Sequence, residues 1–228
     1  MALRFPEENE MTYTGDANKY STIHALKKKY PIFVSAKIIK GLLYDCACRF
    51  IKKNDKVLDI GANTKELQKT LKKTGFKGQY VSMDIDRSAD VDYYSIKDIK
   101  EKFDVVAILE VIEHIDRKTM DEYLNHIKKH LLKKNGQLII STPNIGNVYC
   151  VRNDSTHIAF YPIQELCAIL DYEGFKNIQP FRVYHIYKFK NPFKTLLIRM
   201  IQILRHPFTY FFEIDFNCPQ IMVVCENG

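Results

Sequence analysis

Apolar residues along the chain follow two alternating spacings, which predict helices and strands in turn. From Phe33 to Ile51 they recur every three or four positions, as on one face of a helix. The run from Lys56 to Gly61 that follows is almost continuously apolar and ends in glycine, which is typical of a buried strand. Continued alternation of this kind predicts an α/β fold with a mostly parallel sheet and helices on both faces.

The same two patterns predict the remaining elements. Further strands are predicted at Tyr80–Asp84, Phe103–Leu109, Gln137–Ser141, Phe175–Tyr187 and Gln220–Cys225, with a weaker one around Val91–Ser95. Further helices are predicted at Lys65–Lys73, at Thr119–Leu132 and between Pro162 and Gly174.

The chain is predicted to form one domain, residues 1–228. Residues 1–52 form an N-terminal helical cap, and residues 53–180 form the core. Residues 181–216 are rich in aromatic residues and contain a basic amphipathic stretch, so we expect a helical insertion there. Residues 217–228 supply the last strand.

Composition supports a single globular domain. The 228 residues are 46% hydrophobic and 27% charged, which is the usual balance of a folded soluble protein. The N-terminus lacks the basic-then-apolar layout of a signal peptide, and the six cysteines lack metal-binding spacing. We therefore expect a cytoplasmic protein with reduced cysteines.

The net charge of +7 raises the question of a nucleic-acid partner. Lysine supplies 26 of the 34 basic residues and arginine only eight, whereas base recognition depends strongly on arginine. A nucleic-acid partner is therefore disfavoured. The basic amphipathic stretch within residues 189–216 predicts a helical cover over an acceptor pocket, although such a stripe is more often plain core packing. Peripheral membrane contact is the sharper version of the cover hypothesis.

The end of the first buried strand carries the first candidate ligand-binding residues. In a parallel α/β sheet, ligands bind at the carboxyl ends of the strands. The sequence there continues from Asp59 through Gly61 and Ala62 to Asn63, and Glu66 stands where a dinucleotide fold would have its third glycine. A carboxylate at this loop would repel a pyrophosphate but would suit the ammonium and sulfonium groups of S-adenosylmethionine.

A second acidic residue, Asp84, ends the next strand 25 residues later. A carboxylate at this position is well placed to accept hydrogen bonds from ribose hydroxyls. Together the two strand ends favour an adenosine-containing ligand.

Four segments in this order resemble the class I S-adenosylmethionine-dependent methyltransferases, in particular their E-x-x-E-H-containing subgroup. The segments are Val57–Gly61, Met83–Asp86, Phe103–Ile115 and Leu131–Asn144. The resemblance implies a Rossmann-like seven-stranded sheet and S-adenosylmethionine as the cofactor.

The resemblance also implies roles for individual residues. Gly61 and Ala62 would lie near the methionine part of the cofactor and Asp84 on the ribose. Asn63 and Ile85, which adjoin these residues, are also candidates for cofactor binding. Asp98 is the candidate for the adenine amine. Leu109 and Glu110 would line the pocket.

The chain departs from the family pattern at Lys65, which stands where the loop commonly has glycine. Lys65 either meets the carboxylate of the cofactor or weakens binding. The second outcome leaves open a protein that keeps the fold as a cofactor-binding scaffold without turnover.

Glu110, Glu113 and His114 share one face if the chain turns helical after the Phe103–Leu109 strand. Three interpretations remain open. Glu113 and His114 could be structural polar residues. Alternatively, His114 could be a general base with Glu113 holding its imidazole, or Glu110, Glu113 and His114 could bind a divalent metal together with His157. The last pattern is similar to that of small-RNA 3′-terminal 2′-O-methyltransferases.

The sequence therefore predicts a methyltransferase in which a substrate nucleophile, with oxygen favoured, attacks the sulfonium methyl in line. The favoured acceptor is a small molecule, a sugar or a lipid-linked intermediate, because residues 181–216 are apolar and aromatic. The alternatives are a metal-assisted RNA 2′-O-methyltransferase and the non-catalytic scaffold.

Overall fold

The structure is a computed structural model that describes residues 17–147, 154–185, 200 and 218–228. Its centre is a sheet of seven strands. The strands are β1 (Lys37–Lys40), β2 (Lys56–Ile60), β3 (Gln79–Met83), β4 (Phe103–Leu109), β5 (Leu132–Pro143), β6 (Lys176–Tyr184) and β7 (Gln220–Glu226).

The strands lie in the order β1-β6-β7-β5-β4-β2-β3. All neighbours are parallel except β7, which is antiparallel to both β5 and β6. The predicted α/β, Rossmann-like sheet of seven mostly parallel strands is confirmed. Because strands β2 to β6 point the same way, their carboxyl ends meet at one edge, where the candidate residues were predicted.

The N-terminal helix predicted from Phe33 to Ile51 is wrong over its first half. The chain forms strand β1, which pairs with β6 at the edge of the sheet, and a short helix α2 (Leu43–Cys48). Gly41, with φ of 146°, separates the two elements. The apolar spacing was compatible with both structures, and pairing with β6 decides between them.

The weak strand predicted around Val91–Ser95 is also wrong. This segment makes a single bridge, between Met83 and Tyr93. Beside it, the carboxylate of Asp92 accepts hydrogen bonds from the backbone amide and the hydroxyl of Ser82. Backbone hydrogen bonds also join the segment to the end of β3, from the amides of Asp92 and Tyr93 to the carbonyl oxygen of Ser82, but the pairing does not extend beyond the single bridge.

The helices are α1 (Ala17–Lys27), α2, α3 (Glu66–Lys73), α4 (Arg117–His126) and α5 (Ile163–Tyr172). The predicted helix at Thr119–Leu132 corresponds to α4 and a π-helical turn, Ile127–Leu131. Two hydrophobic clusters are built around the sheet, one including side chains of α1, α4 and α5, the other side chains of α2 and α3. This arrangement confirms helices on both faces.

The predicted insertion at 181–216 begins inside a strand, because β6 extends to Tyr184. Residues 186–199 and 201–217 lie outside the described residues, and so does most of the predicted cover at 189–216. The division into cap, core, insertion and last strand stays a prediction. Within the described ranges, no helix is long and apolar enough to cross a membrane.

Candidate active site

A cavity of about 240 Å³ opens at the carboxyl ends of β2, β3 and β4. It is lined by Ile60, Gly61, Asn63, Met83, Asp84, Ile85, Glu110, Val111, His114, Ile115 and Tyr123. Six of the residues predicted for the site are among them: Gly61, Asn63, Asp84, Ile85, Glu110 and His114. The structure therefore brings the ends of three separate strands to one cavity, as the strand pattern predicted.

The loop after β2 is held by backbone hydrogen bonds to β3. The amides of Gly61 and Ala62 both donate to the carbonyl oxygen of Met83, at 2.8 and 3.1 Å. Gly61 has φ of 77°, and a Cβ atom at this position would overlap the side chain of Val111. Glycine is therefore required here both by its backbone conformation and by the close packing of Val111.

The carboxylate of Asp84 connects the same loop to the turn that follows β3. Its Oδ2 accepts a hydrogen bond from the amide of Asn63 at 2.9 Å, and its Oδ1 accepts one from the amide of Asp86 at 2.9 Å. Asn63 has φ of 35°, a left-handed conformation that asparagine tolerates better than most residues. Asp84 is thus fixed in place while it lines the cavity.

Lys65 does not line the cavity. It has a left-handed backbone, with φ of 58°, immediately before α3, and its ammonium group lies 3.1 Å from Oδ2 of Asp90. The left-handed conformation explains why glycine is common at this position in the family. The ammonium group of Lys65 therefore pairs with the exposed carboxylate of Asp90 and does not line the cavity.

Asp59 is only 4% exposed, and it does not line the cavity. Its Oδ2 accepts a hydrogen bond from the hydroxyl of Tyr80 at 2.6 Å. Burial raises the pKa of Asp59 to about 7; the nearby charge of Asp84 adds to the increase, and the Tyr80 hydrogen bond opposes it. The predicted role of Asp59 toward the ammonium group of the cofactor stays a prediction.

Three other residues that were predicted to bind the cofactor also do not line the cavity. Ala62 and Leu109 are buried, and Asp98 is exposed in a short 3₁₀ turn. Their roles toward the cofactor stay predictions. Sequence reasoning missed five lining residues: Ile60, Met83, Val111, Ile115 and Tyr123.

Glu110 does not begin a helix. It has φ of 57°, and only Ile112–His114 forms a 3₁₀ turn after it. The expected helical face shared by Glu110, Glu113 and His114 is therefore wrong. The left-handed turn directs Glu110 toward Ser141 of β5, whose hydroxyl donates to its Oε1 at 2.8 Å.

Glu113 is the most deeply buried acid of this group, at 1% exposure, and neither carboxylate oxygen has a well-formed hydrogen bond. Burial raises the pKa of Glu113, and the charge of Asp154 adds to the increase. Thr142 and the residue's own amide approach closely enough to oppose it in part. The backbone carbonyl accepts from the amides of Ile158 and Ala159, which fixes the 154–161 segment beside the site.

His114 is held by Thr156 and not by Glu113. Its Nδ1 lies 2.9 Å from the Thr156 hydroxyl and 3.4 Å from the Thr156 carbonyl oxygen. Since that hydroxyl donates its own proton to Asp154 at 2.6 Å, Nδ1 must be the donor toward Thr156. The second nitrogen, Nε2, is then the basic one, and the ring borders the cavity.

His157 completes a potential metal-binding cluster. Its ring lies edge-on to that of His114, with centroids 4.8 Å apart, and its buried Nδ1 has no hydrogen-bond partner. One ligand atom from each of Glu113, His114 and His157 lies within 4.8 Å of the other two. Glu110 is not part of this cluster.

Glu110 and Glu113 influence each other electrostatically. Burial raises the pKa of Glu110, and the charge of Glu113 raises it further, while hydrogen bonds from Ser141 and Gln220 oppose the increase. A neighbouring proton or cation would therefore stabilise this pair.

Comparison with known proteins agrees with this geometry. A family described as "Methyltransferase domain" matches residues 34–180, which include the loop, Asp84 and the Glu113–His114 turn. No curated protein is significantly similar to the chain in sequence.

Several solved structures share the fold at low sequence identity. A SAM-dependent methyltransferase from Archaeoglobus fulgidus superimposes with a TM-score of 0.55 at 18% identity, covering 91% of this chain and 94% of that one. The methyltransferase domain of bacterial CtHen1-C gives 0.54 at 15%, covering 80% and 93%. Phosphoethanolamine N-methyltransferase 2 of Haemonchus contortus, in complex with S-adenosyl-L-methionine, gives 0.53 at 16%, covering 90% and 56%. With the family match over residues 34–180, the chain belongs to the class I S-adenosylmethionine-dependent methyltransferases.

Proposed function

We propose that this methyltransferase transfers a methyl group to an oxygen of its acceptor, with His114 as the general base. The observation that carries the proposal is the orientation of His114. Thr156 holds Nδ1 as a donor, so the basic Nε2 is left for an acceptor hydroxyl at the cavity. A base in this position accepts the hydroxyl proton as the oxygen attacks.

The cavity is the proposed seat of the cofactor. Asp84 is fixed by two backbone amides and is therefore preorganised to accept hydrogen bonds from ribose hydroxyls. Ile85, Ile115 and Tyr123 supply apolar surface in the same cavity. When bound, S-adenosylmethionine supplies an electrophilic methyl group and a neutral thioether as the leaving group. The protein contributes alignment of the acceptor and removal of its proton.

Asp154 supports the proton transfer from a distance. It accepts the hydroxyl proton of Thr156, which in turn accepts from His114 Nδ1. A carboxylate behind the imidazole stabilises the imidazolium that forms when Nε2 takes a proton. Asp154 and Thr156 thus take the orienting role that the sequence assigned to Glu113.

A metal-assisted variant of the same reaction is the second candidate. It is favoured by the unpartnered oxygens of Glu113 and the unpartnered Nδ1 of His157. One carboxylate and two imidazoles fit a divalent transition metal, so Glu113, His114 and His157 would hold it. Such an ion would lower the pKa of an acceptor hydroxyl at the same place.

A small molecule, a sugar or a lipid-linked intermediate remains the proposed acceptor. The scarcity of arginine and the apolar, aromatic composition of residues 181–216 support this choice over RNA. One of the fold relatives is the CtHen1-C methyltransferase domain and another is a phosphoethanolamine N-methyltransferase. The acceptor must therefore be identified by experiment.

The decisive experiment incubates the protein with S-adenosylmethionine and an extract from cells lacking it. Mass spectrometry then identifies the compound that gains 14 daltons, which is the mass of one CH₂ group. We expect an O-methyl product and a rate at least about a hundredfold lower in His114→Ala, with unchanged cofactor affinity. His130→Ala, an exposed histidine away from the cavity, is the control.

Chelation separates the two candidates. If His114 acts as a base alone, activity resists chelators. If a metal is used, chelation abolishes activity, Mg²⁺ or Mn²⁺ restores it, and His157→Ala is as damaging as His114→Ala. A fully active His114→Ala enzyme that is insensitive to chelators would disprove both candidates.

A further inference from the structure

We propose that Ser141 is a positioning residue for cofactor binding, which holds both the backbone and the carboxyl group of Glu110 in the conformation that lines the cavity. The inference rests on the proposed use of this cavity by the cofactor. Ser141 lies on β5, directly opposite Leu109 in the ladder between β4 and β5, and it is fully buried.

The hydroxyl of Ser141 makes two hydrogen bonds to the same residue. It accepts from the amide of Glu110 at 3.1 Å and donates to its Oε1 at 2.8 Å. A single hydroxyl thereby fixes both the main chain and the side chain of Glu110. Two bonds to one residue restrict its conformation more than either bond alone.

This restriction is needed because Glu110 has an unfavourable backbone. Its φ of 57° lies in the left-handed region, where a residue with a β-carbon is strained. Such a conformation persists only when surrounding contacts enforce it. The turn also places the next residue, Val111, against Gly61 of the cofactor loop. Release of Glu110 would therefore disturb two parts of the cavity lining at once.

Without the Ser141 hydroxyl, we expect Glu110 to spend most of its time in ordinary backbone conformations. Binding then requires the minor, competent conformation, and the apparent affinity falls by the fraction of molecules that occupy it. We expect Ser141→Ala to bind S-adenosylhomocysteine about tenfold more weakly than the wild type, as measured by titration calorimetry.

The chain offers a closely matched control at Ser82, which is also fully buried. Its hydroxyl donates to Oδ2 of Asp92 at 2.6 Å and accepts from the amide of Asp92 at 3.2 Å. This is the same reciprocal pair, but neither Ser82 nor Asp92 lines the cavity. Ser82→Ala should lower the thermal midpoint to a similar extent as Ser141→Ala and should leave cofactor affinity unchanged.

A double-mutant cycle tests whether Ser141 acts through Glu110. In a Glu110→Ala background, Ser141→Ala should cause a smaller further loss of affinity, because the carboxyl group is gone and only the hydrogen bond to the backbone amide remains to be lost. Ser141→Thr, which keeps the hydroxyl, should retain most of the affinity. If Ser141→Ala does not fold, Ser141→Cys replaces it, since the thiol is similar in size and a weak hydrogen-bonding partner.

The outcomes are distinguishable. Unchanged affinity in Ser141→Ala or Ser141→Cys, or an equal loss with and without Glu110, would overturn the positioning role. Failure of the folded wild-type protein to bind S-adenosylhomocysteine would instead overturn the proposed cofactor site.

Discussion

Two neighbouring regions of the site differ in how their polar groups are satisfied. In the loop after β2, the amides of Gly61, Ala62 and Asn63 all have partners, and Asp84 beside it uses both carboxylate oxygens. On the side of Glu113 and His157, the described residues leave both oxygens of one and Nδ1 of the other unpartnered.

A buried polar group without a hydrogen bond is costly, so it persists in a folded protein only for a reason. The loop after β2 and Asp84 carry no such cost, because their polar groups are hydrogen-bonded to one another and to β3. The unpartnered oxygens of Glu113 and Nδ1 of His157 can bind a proton, a metal ion or a substrate. The comparison shows that the loop after β2 is preorganised by its own hydrogen bonds, whereas Glu113 and His157 need a proton, a metal ion or a substrate to satisfy their buried polar atoms.

The largest effect should come from Gly61→Ala. The added methyl would overlap Val111, and φ of 77° is unfavourable for alanine. We expect a loss of about 3 kcal/mol or more in stability and no measurable cofactor binding. Gly75→Ala is the control, because its φ of 76° is the same but no atom lies within 4 Å. It should cost about 1 kcal/mol in chemical denaturation. Equal losses would show that Val111 does not constrain the loop.

The next largest effect is expected at Asp84, where both carboxylate oxygens accept hydrogen bonds. Asp84→Asn removes a charged acceptor that binds two amides and faces the cavity, so cofactor affinity should fall by about 1–3 kcal/mol in calorimetry. Asp86→Asn is the control, because its carboxylate binds only the backbone and hydroxyl of Ser88 and does not line the cavity. Unchanged affinity in Asp84→Asn would remove Asp84 from the binding site.

Replacement of the acid by its amide should raise the stability of the protein at Glu113, in contrast to the loss of cofactor affinity expected at Asp84. Burial raises its pKa in the folded state, so its stabilising contribution is present at low pH and is lost as pH rises through that pKa. Glu113→Gln removes this loss and should stabilise the apo protein at pH 8 by about 1 kcal/mol, with no gain near pH 4. Denaturant unfolding at the two pH values measures it. A destabilised variant at pH 8 would mean that Glu113 is satisfied in the folded protein.

The smallest effect is expected at Lys65. Its ion pair is with a fully exposed acid, Asp90, so Lys65→Ala should change stability and cofactor affinity by less than about 0.5 kcal/mol. A tenfold loss of affinity would instead place the ammonium group on the cofactor.

Sequence reasoning was most successful where the pattern is local. The run Phe103–Leu109 forms β4 with the predicted bounds, because seven consecutive, mostly apolar residues can be satisfied only inside a covered sheet. Likewise, Gly61 and Asp84 were found from their positions at strand ends. The failures are of a different kind: Lys37–Lys40 forms a strand because β6 offers a partner, and Val91–Ser95 does not because Asp92 turns back to Ser82.

By itself, the sequence determined the order of strands and helices from β2 onward, with the exception of Val91–Ser95. It also determined the edge of the sheet that carries the site and the residue types that reach it. These depend on short-range periodicity and on the rule that ligands bind at carboxyl ends. Only the tertiary structure decided the pairings: Glu110 with Ser141, His114 with Thr156, Lys65 with Asp90. Each joins residues at least 25 positions apart, and such contacts depend on left-handed turns and on neighbouring strands that a local pattern does not encode.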